Sequence, residues 1–163
     1  MTLDPILSAP FEVQLHVAAA LLALALGPLA LYRTRRDRVH KCLGYVWVTA
    51  MGVLAVSGLF IEAVVLPLVG RFGPIHLFSI WALVSLWQAM AAIFRRDVAR
   101  HQAVMRALYW QAIGITGLLA LLPGRRMNAV LFGEAEWVGL WGIAVVALGV
   151  LADQVRRRMR LVG

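Results

Sequence analysis

The feature that most constrains this chain is a succession of long, nearly uncharged apolar blocks. Each block runs about 17 to 26 residues, enough to cross the hydrocarbon core of a bilayer at about 1.5 Å of rise per residue. The apolar residues are contiguous rather than alternating, which favours helices over a closed barrel. We predict five membrane-spanning helices, at 11–32, 43–69, 75–94, 103–122 and 137–152.

Length and charge narrow the class of protein further. A chain of 163 residues, 62% of them hydrophobic, is too short for a soluble domain beside a membrane domain, so we predict one transmembrane domain over 1–163. A net charge of +8 would suggest a nucleic-acid partner in a soluble protein. Here the basic residues lie between the apolar blocks, so we expect contact with the lipid bilayer and none with nucleic acid.

The basic residues also predict the orientation. Thirteen of the sixteen follow the first span, lie around the turn after the third span or end the chain, whereas Arg71, Arg125 and Arg126 fall on the other side. By the positive-inside rule this indicates a bacterial inner-membrane protein with a periplasmic N-terminus and a cytoplasmic C-terminus. The first apolar block lacks a basic n-region before it, so we expect it to be retained.

The chain contains a repeated pattern, with one copy over 11–69 and the other over 75–122. Each copy has a histidine at its outer end, an Arg-Arg-Asp triplet in its inner loop and a second histidine just after the triplet. The histidines are His16 and His40 in the first copy, 24 residues apart, and His76 and His101 in the second, 25 residues apart. Arginines flank any cytoplasmic loop, but coincidence does not place all four histidines of the chain at equivalent positions.

This pattern predicts an all-α fold in which two hairpins of the same orientation form an up-down four-helix bundle. After the bundle we predict an interfacial segment at 123–136, the fifth span and a basic cytoplasmic tail at 153–163.

The four histidines are the candidate cofactor ligands. In an up-down bundle the first and third spans are diagonal, as are the second and fourth, so each pair of histidines faces across the bundle axis near one membrane surface. Two facing imidazoles are what a six-coordinate haem b needs, and the pattern is compatible with one or two haems. The candidate metal ligands are His16, His76, His40 and His101, and the candidate propionate contacts are Arg36, Arg38, Lys41, Arg100 and Arg126.

Two alternatives remain open for these histidines. An interfacial histidine is also a common headgroup contact or helix-capping residue. His101 with Met105 one turn later could instead bind copper, although a single His/Met pair is a weaker signal than two matched histidine pairs.

Glu62 is the only carboxylate well inside a predicted span. Burying a charge in a membrane is costly, so we expect Glu62 to face the bundle interior as a proton carrier or a quinone contact. The alternative is a neutral acid bonded to a backbone carbonyl, or one paired with Arg71.

Two motifs resemble those of a known family. The run His40-Lys41-Cys42-Leu43-Gly44 is similar to the H-R-x-L-G motif of a family of predicted bacterial membrane proteins of unknown function. The Arg95-Arg96-Asp97 triplet followed by the H-x-x-x-M run of His101 and Met105 resembles that family's second block, and the likeness covers roughly 16–133. Lys41 departs from the family's usual arginine, which puts a bidentate role at that position in doubt.

The four-histidine arrangement also resembles that of transmembrane dihaem b-type cytochromes. That likeness implies the four histidines as axial ligands and a quinone, ascorbate or superoxide as partner. Our first hypothesis is therefore an inner-membrane electron-transfer protein, a cytochrome b-like oxidoreductase that passes electrons between a quinone and a second redox partner. The alternative is a non-catalytic accessory or assembly subunit of a larger membrane complex, or a homo-oligomer.

Overall fold

The computed structural model describes residues 2–63 and 68–162, and within them every regular element is helical apart from an isolated bridge between Val69 and Phe72. The elements in chain order are α1 (Asp4–Leu7), α2 (Phe11–Leu31), α3 (Arg38–Phe60), α4 (Pro74–Phe94), α5 (Val98–Leu108), a π-helical segment (Tyr109–Ile115), α6 (Thr116–Leu119), α7 (Arg126–Phe132) and α8 (Val138–Val162).

Three of these helices, α2, α3 and α4, are long and apolar enough to cross a membrane. The bounds of α2 and α4 lie within one residue of the predicted spans 11–32 and 75–94. The class of all-helical protein with membrane-length helices is therefore confirmed.

The predicted second span, 43–69, is misplaced at both ends. Helix α3 begins at Arg38, because the carboxylate of Asp37 accepts a hydrogen bond from the His40 amide and caps the first turn. It ends at Phe60, and the Ala63 amide then donates to the Arg71 carbonyl. The hydropathy pattern did not predict the end of α3 because the sequence remains apolar after Phe60. The part of the prediction at 64–67 lies outside the described residues.

The predicted fourth span, 103–122, corresponds to three consecutive helical pieces, α5, the π-helical segment and α6, which run from Val98 to Leu119. π-Helical turns inside α-helices are rare and often occur at functional sites. The predicted fifth span, 137–152, begins one residue before α8, whose apolar part covers Val138–Gly149. That either segment crosses the membrane stays a prediction.

The described chain has two compact units, of which residues 9–116 form the larger. In it α2 packs on α3, α3 on α4 and α4 on α5, and the π-helical segment returns to α2. Small side chains bring the helices close, since Ala23 and Ala89 are fully buried, while Trp47, Met51 and Leu108 fill the centre.

Gly27 shows how closely α2 and the π-helical segment approach. A Cβ atom at position 27 would overlap the ring of Tyr109, whose hydroxyl donates to the Leu24 carbonyl. Trp47 on α3 also reaches α2, where its indole N–H donates to the Ala23 carbonyl at 2.9 Å. Helix α2 is therefore closely packed against both α3 and the π-helical segment.

The smaller unit comprises residues 1–8 and 117–163, within which α7 contacts both α1 and α8. The side chain of Asn128 is fully buried in this unit. Its amide group donates hydrogen bonds to the carbonyls of Leu121 and Glu136. Gly139 lies so close that a Cβ atom there would overlap the Leu121 carbonyl. The predicted interfacial segment 123–136 thus contains a short helix fixed by one buried amide.

Candidate functional site

His76, one of the two predicted outer ligands, has both ring nitrogens bonded to the backbone. Its Nε2 lies 3.0 Å from the Ile61 carbonyl, to which it donates, and its Nδ1 accepts from the Gly73 amide at 3.0 Å. The side chain is buried, with only 3% of its surface exposed. It thereby caps the start of α4 and binds the end of α3 to it. Ligation of a haem iron by His76 would require one of these bonds to break.

His16, the other predicted outer ligand, lies against a different set of groups. The hydroxyl of Ser57 donates to the Val53 carbonyl at 2.7 Å, so its oxygen accepts from His16 Nδ1 at 3.2 Å. The ring packs on Gly58, where a Cβ atom would come within 3.2 Å of the imidazole and within 2.7 Å of the Ser79 hydroxyl. This packing leaves no room for a planar ring between His16 and the backbone of α3.

The two inner histidines, in contrast, line one cavity of about 530 Å³. His40 comes from the first turn of α3 and His101 from the first turn of α5, and the ends of α2 and α4 complete the walls. A volume of this size is typical of small-molecule and cofactor sites. The structure therefore brings the predicted inner pair together around a space, which it does not do for the outer pair.

The ring nitrogens of the inner pair leave coordination positions available. His101 Nδ1 lies 2.9 Å from the Ala89 carbonyl and donates to it, which places the lone pair on Nε2. This is the arrangement by which backbone carbonyls orient metal-binding imidazoles in proteins. His40 Nδ1 is buried and has no hydrogen-bond partner among the described residues. Because Nδ1 is buried, Nε2 is the His40 ring nitrogen that could reach a group in the cavity.

The rest of the cavity wall is mostly apolar, with Tyr45, Gln102 and three basic residues among its lining residues. Arg36, Lys41 and Arg106 line it, and no carboxylate does. Of the predicted propionate contacts, Arg36 and Lys41 are therefore at the cavity, whereas Arg38 and Arg100 are not among its lining residues. Arg126 begins α7 in the smaller compact unit.

The wall also contains flat and polarisable surfaces. Trp47, Met90 and Met105 line the cavity beside the histidines. Gly44 lies one turn after His40, and a Cβ atom there would meet nothing within 4 Å, so the space extends to the backbone of α3. The cavity thus combines two imidazoles, an apolar body and a cationic edge, which fits a flat apolar molecule with acidic substituents.

An aspartate fixes the helix turn that carries each inner histidine. Asp37 caps α3 through the His40 amide, and Asp97 caps α5 through the Arg100 amide, each at 3.0 Å. The two Arg-Arg-Asp triplets of the sequence therefore have the same structural role. Asp37 also pairs with Arg33 at 2.6 Å, and this hydrogen bond, together with that from His40, lowers the pKa of Asp37 to about 2.

Glu62 does not lie inside a span. It follows the end of α3 by two residues and its side chain is exposed. The prediction that it faces the bundle interior is wrong, because the chain turns away from the helix at Ile61, whose carbonyl is bound by His76. The predicted role of Glu62 in proton or quinone chemistry was based on burial inside a span, which the structure does not show. That role stays a prediction.

Met90, Trp47 and Arg106 are among the lining residues that were not expected as site residues from the sequence. Met90 and Trp47 resemble ordinary core residues in an apolar span, and only the packing of four helices brings them to the cavity. Arg106 was used to predict orientation alone, because a spacing of five residues from His101 does not place the two side chains on one face of a helix.

Comparison with known protein families supports the assignment of this chain to a class of membrane proteins. Residues 13–154 match the family described as predicted membrane protein (DUF2306), and the chain belongs to that family. No curated protein and no solved structure matches the chain.

Proposed function

We propose that this protein is an inner-membrane electron-transfer protein that binds one haem b between His40 and His101 and exchanges electrons between a quinone and a second redox partner. The observation that carries the proposal is the inner cavity, because both imidazoles line it and the Ala89 carbonyl orients His101 so that its Nε2 keeps the lone pair. The sequence was compatible with two haems, and the contacts of His16 and His76 favour one.

The chain's own residues would hold the group in a defined orientation. His101 is oriented by the Ala89 carbonyl, and Asp37 fixes the turn that carries His40. Arg36, Lys41 and Arg106 would bind the two propionates, since arginine and lysine form charge-assisted hydrogen bonds with carboxylates. Met90, Met105 and Trp47 would exclude water from the ring faces. A haem bound there supplies a one-electron couple whose potential depends on the axial ligands and on burial.

The membrane arrangement is part of the same proposal. Four helical segments, α2, α3, α4 and the run from α5 to α6, would cross the bilayer as an up-down bundle, with the inner cavity at the cytoplasmic surface. The positive-inside bias supports this orientation. The orientation of the helices is tested by labelling Cys42, which is exposed and is the single cysteine of the chain. An impermeant maleimide should label Cys42 in inverted membrane vesicles and not in intact spheroplasts; the reverse result would invert the topology.

The haem is tested by the visible spectrum of the purified protein. The proposal predicts a Soret band and a reducible α-band with one haem per chain, both lost in His40→Ala and in His101→Ala. His101→Met is the sharper variant, since it keeps a ligand and should shift the band and raise the potential. A colourless wild-type protein, folded and purified from haem-replete cells, would contradict the proposal.

The outer histidines supply an observation for the second candidate function, that of a non-catalytic subunit in a larger complex. His76 has the hydrogen bonds of a structural residue, since both of its ring nitrogens bond to the backbone, and the ring of His16 packs on Gly58. Copurification of a colourless protein with the same set of subunits, unaffected by replacing His40, would favour this alternative. A coloured protein that is purified alone would exclude it as the sole function.

A further inference from the structure

The loops that carry the two Arg-Arg-Asp triplets lie at one end of the larger unit. Arg36 of the first loop lines the same cavity as Phe94 and Val98, which flank the second loop. Five basic residues in and beside these loops do not line the cavity, and all five are exposed: Arg35, Arg38, Arg95, Arg96 and Arg100. We propose that these five residues, the basic surface, bind the headgroups of anionic phospholipids. The basic surface requires no haem in the cavity.

The acidic residues of the two triplets do not neutralise the basic surface. The carboxylate of Asp37 accepts a hydrogen bond from the His40 amide and pairs with Arg33. The carboxylate of Asp97 accepts a hydrogen bond from the Arg100 amide. Within the part of the chain that the structure describes, none of the five surface residues forms an ion pair. Each triplet therefore uses its acid to cap the next helix and leaves its arginines for a partner outside the fold.

Exposed aromatic rings lie at the level of these loops. Tyr32 follows the last residue of α2, Phe94 is the last residue of α4, and both side chains are exposed. The indole N–H of Trp110, also an exposed residue, donates to the Tyr32 hydroxyl at 3.0 Å. Aromatic side chains are enriched where a membrane helix meets the headgroups. These rings therefore favour lipid headgroups over a soluble acidic protein as the partner of the neighbouring arginines.

Local backbone energetics disfavours arginine at three of the five positions. Arg96 has a φ angle of 62°, in the left-handed region at the end of α4, where glycine is preferred. Arg38 and Arg100 lie in the first turns of α3 and α5, where the helix dipole disfavours a cation. An external anion accounts for cations at such positions. Lipid phosphates supply one, since they accept charge-assisted hydrogen bonds from arginine.

Spin-labelled lipids test the basic surface in vesicles of phosphatidylcholine. We expect the wild type to prefer spin-labelled phosphatidylglycerol over spin-labelled phosphatidylcholine about fivefold, a ratio that corresponds to one basic side chain at an anionic membrane surface. Arg95→Gln/Arg96→Gln should lower this ratio towards one. The matched control is Arg125→Gln/Arg126→Gln, a second pair of consecutive arginines that belongs to the smaller unit, and it should keep the ratio. Added salt should lower the wild-type ratio, because exposed charges are screened.

Substitution of Arg96 alone separates lipid binding from folding. Arg96→Gly places the preferred residue in the left-handed conformation, so its unfolding temperature in detergent should rise while its preference for phosphatidylglycerol falls. Arg96→Lys should keep the preference, because it keeps the charge. A stabilised Arg96→Gly protein with an undiminished preference would overturn the proposal.

The remaining outcomes are equally decisive. An unchanged ratio in Arg95→Gln/Arg96→Gln, or an equal loss in the control pair, would overturn the proposal. If soluble polyglutamate bound the wild type and phosphatidylglycerol were not preferred, the basic surface would belong to an acidic protein and the lipid proposal would fail. A colourless protein with the expected lipid preference would support the basic surface while contradicting the haem.

Discussion

The two ends of the larger unit, predicted to be its inner and outer ends in the membrane, surround equivalent histidines differently. At the outer end His76 and His16 lie in closely packed surroundings and bond to backbone or serine groups. At the inner end His40 and His101 line a cavity, one with an unpaired buried nitrogen and the other oriented by a carbonyl. A repeated sequence pattern therefore does not imply repeated surroundings: His76 bonds to the ends of two helices, whereas His40 and His101 line a cavity.

The comparison is tested most strongly by removing an outer histidine. His76→Ala should destabilise the fold by about 3 kcal/mol, because it leaves the Ile61 carbonyl and the Gly73 amide unsatisfied in a buried place and opens a cavity. Thermal unfolding in detergent measures this, with His40→Ala as the matched control. If the His40 variant were the less stable of the two, the assignment of structural and ligand roles would be reversed.

Alanine substitutions at two glycines test the differences in packing further, with a smaller expected effect on stability. Gly27→Ala should destabilise the protein by about 2 kcal/mol relative to Gly44→Ala, because its Cβ atom meets the Tyr109 ring whereas that of Gly44 meets open space. Helix propensity favours alanine equally at both sites and cancels. Chemical denaturation of both variants provides the measurement. Equal stabilities would contradict the close approach of the Tyr109 ring to Gly27.

The capping aspartates give the smallest expected effect. The folded-state pKa of Asp37, about 2, lies below its ordinary value of 3.8. Its ionised form therefore stabilises the fold fully above pH 3.8, and this contribution is lost as the pH falls towards 2. The unfolding temperature of the wild type should exceed that of Asp37→Asn at pH 7 and converge on it near pH 2. A constant difference over this range would contradict the Arg33–Asp37 interaction.

Sequence reasoning predicted the helical membrane class and the bounds of α2 and α4, because long apolar runs with charged or proline-containing ends define such helices. It misplaced the end of α3, because the chain leaves the helix at Ile61 while the residues stay apolar. The break depends on His76 reaching the Ile61 carbonyl from α4, a tertiary contact that hydropathy cannot report.

For the candidate site, the sequence identified the four histidines and the basic residues Arg36 and Lys41. It did not distinguish the inner pair from the outer pair, because the difference depends on packing: Gly58 brings α3 against His16, whereas Gly44 leaves space beside His40.

The most direct test of the account is to compare the visible spectra of two double variants, His40→Ala/His101→Ala and His16→Ala/His76→Gln. The second keeps hydrogen-bonding capacity at position 76, so that the fold is preserved. The account predicts that the inner double variant is folded and colourless, while the outer one retains the haem spectrum at one haem per chain. Loss of the spectrum in a folded outer variant, or its survival in the inner variant, would contradict the central claim.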